Sequence, residues 1–160
     1  MSIRYIFGGV CIILGYVGGC LYSSKMKSRY ATATKLYDGL KIMRIEITNA
    51  QKGLIPTLKK AHQATNCDEL GKILNALSST GECNDVIDEL DIDSNVRESL
   101  KNLLYKVRFS SNDDIKSAFD DCSQTISQWT QASLAAYKKE AVLYKRLGIL
   151  SGIAVFILLC

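Results

Sequence analysis

Residues 36–54 read LYDGLKIMRIEITNAQKGL, and their apolar positions decide the fold. Leu36, Leu40, Met43, Ile47, Ala50 and Leu54 recur at alternating steps of four and three, which lays one stripe along a helix. No helix breaker separates this stripe from the uncharged run Tyr5–Tyr22 upstream. The pattern therefore predicts one continuous helix from the N-terminal run to about Lys52, with Gly53 as its stop signal. Pro56 can open the next helix, because its missing N–H is an orphan in a first turn anyway.

Downstream the chain keeps the same period. Asn66 is placed to cap a third helix, with Glu69 completing a capping-box-like pair. Leu70, Ile73, Leu74 and Leu77 form that helix's buried face, and Ser78-Ser79-Thr80-Gly81 ends it. A short fourth helix holds Val86, Ile87 and Leu90. Ser94 is placed to cap a fifth, with Val96, Leu100, Leu103, Leu104 and Val107 facing inward. After Ser110-Ser111-Asn112 a last stripe runs Ile115, Phe119, Cys122, Ile126, Trp129, Ser133, Tyr137, with Trp129 expected in the core. No Gly or Pro interrupts it before Gly148, so it should continue into the uncharged ending Leu147–Cys160. No strand-length alternation with a hairpin turn occurs. The expected fold is all-α, an antiparallel bundle of five to six helices whose first and last members are long.

The two uncharged runs carry the second inference. As helices they would extend about 27 Å and about 21 Å, against a hydrocarbon core of about 30 Å. The shorter one can be completed by snorkelling of Lys145 and Arg146 or by local bilayer thinning. Lys25, Lys27 and Arg29 follow the first run, and Lys138, Lys139, Lys145 and Arg146 precede the second. Both basic flanks orient the middle toward the cytoplasm. The expected organisation is an N-terminal transmembrane helix over residues 1–23, a cytoplasmic helical domain over 24–146 and a C-terminal membrane anchor over 147–160. Tyr22 and Tyr144 suit the membrane interface. Gly15 and Gly19, and likewise Gly148 and Gly152, recur at four-residue spacing and would let neighbouring membrane helices approach closely. The competing interpretation is an exported lipoprotein-like receptor or adaptor, in which Val17-Gly18-Gly19-Cys20 is a cleavage site and Cys20 carries the lipid.

Charge is uneven over the 160 residues, although the formal net value is only +4. Lys25 to Lys60 is basic and suits anionic headgroups. The stretch Glu82–Glu98 carries Glu82, Asp85, Asp88, Glu89, Asp91, Asp93 and Glu98 against Arg97 alone, and offers either a docking face for a basic partner or a solvated helix surface. Basic residues interleaved with aromatics are lacking, so nucleic acid is not an expected partner. His62 is the one histidine and no C-x-x-C pair exists, which leaves no zinc site. Cys67, Cys83 and Cys122 are expected as buried thiols of a reducing compartment. Asp91-Ile92-Asp93-Ser94-Asn95 opens like a calcium loop but has Val96 at the glycine position and Asn102 at the bidentate-glutamate position. Without a nucleophile–base–orienter set or a phosphate-cradling loop, the chain is not expected to be an enzyme or to bind a cofactor or small-molecule substrate.

Two segments carry a family resemblance. Met43-Arg44-Ile45-Glu46-Ile47, followed by Leu54-Ile55-Pro56-Thr57-Leu58 and Ala61, resembles the L-x-x-E-I … P-L segment of the stage III sporulation protein AB family. The ending Tyr144-Lys145-Arg146-Leu147-Gly148-Ile149-Leu150-Ser151-Gly152 and its aliphatic tail resembles that family's C-terminal signature more closely. Phe109-Ser110-Ser111-Asn112-Asp113 departs from the L-G-x-S-D … Q element usual before the last helix. The resemblance implies a component of the channel linking mother cell and forespore in endospore-forming bacteria, held in the mother-cell membrane around the forespore. It further implies a helical domain similar to the cytoplasmic domain of type II secretion and type IV pilus inner-membrane platform proteins. Such a domain would dock a secretion-type ATPase and other channel proteins. Arg29, Glu46, Asp85, Asp88, Glu89 and Asp91 are the candidate partner interface. Of these, Glu46 matches the family motif and the others follow from charge pattern.

Overall fold

The computed structural model describes the backbone of residues 2–159 and the side chains of residues 13, 17–139, 143, 146–147, 150, 153–154 and 157. Among the described residues six helices follow in order: α1 (Ser2–Thr48), α2 (Leu54–Thr65), α3 (Asp68–Ser79), α4 (Asn84–Asp88), α5 (Ser94–Phe109) and α6 (Asn112–Leu159). No strand occurs among the described residues. The uninterrupted courses of α1 and α6 agree with the periodicity.

The chain divides into two compact units. One comprises Met1–Tyr30 and Ala132–Cys160, the other Ala31–Gln131. In the first, Gly19 and Ser23 are buried, one turn apart on α1. Among the described residues no helix is long and apolar enough to cross a membrane. Many side chains of the two uncharged runs fall outside those described.

The second unit holds a continuous hydrophobic core. Leu36, Leu40, Met43 and Ile47 of α1 meet Leu58, Leu70, Ile73 and Leu77 of α2 and α3, with Phe119, Cys122 and Ile126 of α6 in the same cluster. Each fully buried large side chain stabilises the unit by about 1.5–3 kcal/mol relative to exposure. Trp129 packs against this cluster while only half-buried. Ala50 is exposed and Leu54 half-buried, so the α1 stripe ends at Ile47.

The helix ends correct three sequence expectations. α1 stops at Thr48 rather than near Lys52, and Gln51, not Gly53, takes the left-handed backbone of the reversal, with φ 52°. Gly53 is extended (φ −63°, ψ 160°) and precedes α2, with Pro56 inside the first turn. Asn66 does not cap α3. It closes α2 in the left-handed region (φ 49°, ψ 47°), its N–H donating to the His62 carbonyl. Asparagine tolerates that region better than other side chains, and a link this short needs one such residue. Asp93 rather than Ser94 caps α5, its carboxylate accepting from the Asn95 N–H at 2.9 Å. The entry to α6 is a reciprocal cap: Ser111 Oγ donates to the Asp114 carboxylate at 2.6 Å and accepts from the Asp114 N–H at 3.4 Å.

Candidate interaction surface

The residues singled out by charge and motif are not brought into one site. Arg29 is exposed and belongs to the first unit. Gly15, Gly148 and Gly152 lie outside the residues whose surroundings are described, while Gly19 is buried. Cys20 is a free, half-buried thiol within α1. Glu46 and the acidic stretch both lie in the second unit and differ in kind.

Glu46 is 8% exposed, near the end of α1. Its Oε2 accepts from Lys52 Nζ at 2.6 Å, and Oε1 accepts from Lys60 Nζ on α2. The hydrogen bond from Lys52, then that from Lys60, hold its carboxyl below the ordinary carboxylate range, against the opposing effect of burial. The Lys52 N–H also donates to the Glu46 carbonyl at 3.1 Å. This motif residue therefore clamps the α1–α2 corner, with both carboxylate oxygens engaged within the chain. The lysines sit six and fourteen positions downstream, beyond the end of α1, and nothing in the local pattern of Glu46 announces them.

The acidic stretch is open to solvent. Asp85, Asp88, Glu89 and Asp91 are all exposed along α4 and the link to α5. Asp88 is bridged to Lys101 of α5 at 2.6 Å. No ion pair is found for Asp85, Glu89 or Asp91 among the described residues. The backbone beneath them is held by Arg97, whose Nη2 donates to the carbonyls of Leu90 at 2.9 Å and Ile92 at 3.3 Å. Ile87 and Leu90 anchor the segment in the core. Between α3 and α4 a cleft of about 500 Å³ opens, with Ala76, Val86 and Leu90 on its apolar lining and Lys72 and Glu89 among its polar residues. Pattern reading missed this cleft, because it exists only where α3 packs beside α4.

Three thiols of the second unit are held protonated by burial. Cys67, Cys83 and Cys122 are buried free thiols. Burial pushes Cys67 up to about 11 and Cys122 up to about 12, and raises Cys83 as well, so all three are protonated at neutral pH. Among the described residues no cluster of His, Cys, Asp or Glu could hold a metal ion.

Among protein families, the model described as stage III sporulation protein AB (spore_III_AB) matches residues 5–160. No curated protein and no solved structure matches the chain.

Proposed function

The chain belongs to the stage III sporulation protein AB family, whose name places it in sporulation, and from that premise we propose a non-enzymatic, membrane-held assembly role. In this proposal the two uncharged runs anchor the chain in the mother-cell membrane around the forespore. The basic flanks keep the helical unit in the cytoplasm. The unit then serves the mother cell–forespore channel as secretion platform proteins serve theirs, by recruiting a secretion-type ATPase and other channel components.

One observation carries the recruiting surface: Asp85, Glu89 and Asp91 are exposed without ion-pair partners among the described residues, on a backbone fixed by Arg97 and by buried Ile87 and Leu90. Exposed, unneutralised charge on a rigid support steers a basic partner and makes its association salt-sensitive. Glu46 contributes indirectly, by holding the corner that α2 starts from. Asp88 is the weaker contributor, being neutralised by Lys101.

The test is co-purification of the ATPase from sporulating cells with full-length chain carrying Asp85→Lys and Glu89→Lys. Recovery should fall, and what remains should lose its dependence on ionic strength. Undiminished recovery with unchanged salt response removes the acidic face from recruitment. Membrane topology is checked separately, with an Asp91→Cys reporter and an impermeant thiol reagent. Labelling only after lysis supports the cytoplasmic placement, and labelling of intact cells overturns it.

A further inference from the structure

The acidic cleft has an apolar lining that charge steering alone does not use, and the same unit presents a matching surface elsewhere. At the α1–α2 corner Ile45 and Ile55 are exposed large apolar side chains, 57% and 45% accessible. Ile55 and Lys59 stand one turn apart on one face of α2. Lys59 is exposed and no ion pair is found for it among the described residues, while Lys52 and Lys60 flank it on the Glu46 clamp. Lys41 and Arg44 near the end of α1 are neutralised by Asp38 and Asp120. The corner thus presents exposed Ile55 with one cation lacking an ion pair among the described residues, Lys59, a turn away. The α3–α4 cleft is a mixed recess: Ala76, Val86 and Leu90 line it beside Asn75, Ser79, Glu89 and Lys72, and exposed Asp85 stands next to Val86 in sequence.

We propose that the occupant of this cleft is a second copy of the chain, which seats Ile55 among Ala76, Val86 and Leu90 while its Lys59 approaches Asp85 and Glu89. An apolar anchor beside a pair of opposite charges gives an interface both energy and register. The Ile55 knob and the recess belong to one sequence, so each copy offers both halves of the contact, and the association closes as a pair where a two-fold axis joins both contacts or continues as a chain where it does not. The proposal goes beyond the recruiting role and does not need it. It adds that a basic partner and a second copy compete for the acidic face.

The experiment uses full-length chain in detergent micelles, followed by sedimentation velocity over a concentration series at low and high salt. Wild-type chain should self-associate, and more weakly at high salt. Ile55→Ser should weaken association by about tenfold, the effect of losing one well-packed anchor. Lys59→Glu alone and the pair Asp85→Lys with Glu89→Lys should each abolish it. Mixing those two charge-reversed chains should restore it, because each then presents the complement of the other. Restoration requires both variants to be folded, so it separates lost contact from lost structure. A monomeric wild type, association indifferent to salt, or a mixture that stays dissociated would each overturn the proposal. Lys59→Glu leaves the acidic face intact, so it should retain ATPase co-purification while losing self-association. The two ideas can therefore fail independently.

Discussion

Lys52 binds Glu46 twice, through its N–H to the Glu46 carbonyl at 3.1 Å and through its ammonium to the carboxylate at 2.6 Å. The double contact fixes the chain reversal between α1 and α2 at both backbone and side chain. With Lys60 on the other oxygen, one carboxylate joins a helix end, a turn and the next helix.

Glu46→Gln keeps the shape and removes the charge, so its effect should depend on pH. The folded carboxyl has a lower pKa than the same group in an unfolded chain. Its stabilisation is present above the unfolded value and is lost as pH falls through the folded value. The urea midpoint of Glu46→Gln should lie below that of the wild type at neutral pH, and the two curves should converge as the solution is acidified. A gap that stays constant with pH would remove the ionic clamp.

Gly39 on α1 faces α3 at close range. A Cβ there would stand 2.5 Å from Leu70 Cδ1, and Leu70 is itself 1% exposed and cannot swing into solvent. Gly39→Val should therefore lower stability by about 1–3 kcal/mol through overpacking, read as a fall in melting temperature. Gly39→Ala should cost less, since its clash is offset by about 1 kcal/mol of helix propensity.

The start of α5 distinguishes two neighbouring residues. Asp93→Ala removes the side-chain acceptor of the Asn95 N–H and should destabilise by about 0.5–2 kcal/mol. Ser94→Ala, already inside the helix and exposed, should stay within about 0.5 kcal/mol of wild type in the same denaturant titration.

Thiol reactivity should follow burial. At neutral pH Cys67, Cys83 and Cys122 should resist maleimide in the native chain and react once denaturant is added, as read by peptide mass mapping. Cys122→Ser should destabilise by about 1–3 kcal/mol, because the site is buried among apolar groups and the hydroxyl gains no assured partner. Rapid native labelling of Cys122 would contradict the packing described for α6.

These residues also mark what pattern alone could disclose. The core was legible because helical burial imposes its period on sequence: Leu36, Leu40, Met43 and Ile47 are all buried, as are Phe119, Cys122 and Ile126. The ends were less legible, because several polar residues near a terminus can serve it and backbone geometry chooses among them. Asn66 fits both the end of α2 and the start of α3, and the short link demands its left-handed backbone. Exposed charge at Asp85, Glu89 and Asp91 followed from composition. The lysines on Glu46 and the cleft beside Glu89 did not, since both depend on which helices become neighbours.

The unequal separations of these contacts set an order for assembly. α2 touches α3, α3 touches α4 and α4 touches α5, so these pairings close only short loops and form early. The Arg44–Asp120 bridge at 2.8 Å joins α1 to α6 across the whole intervening sequence. Closing that span costs about 2 kcal/mol more chain entropy than a short loop, so the meeting of the two long helices should be the slower event in refolding, and the core left bare until then is the stretch most prone to aggregate.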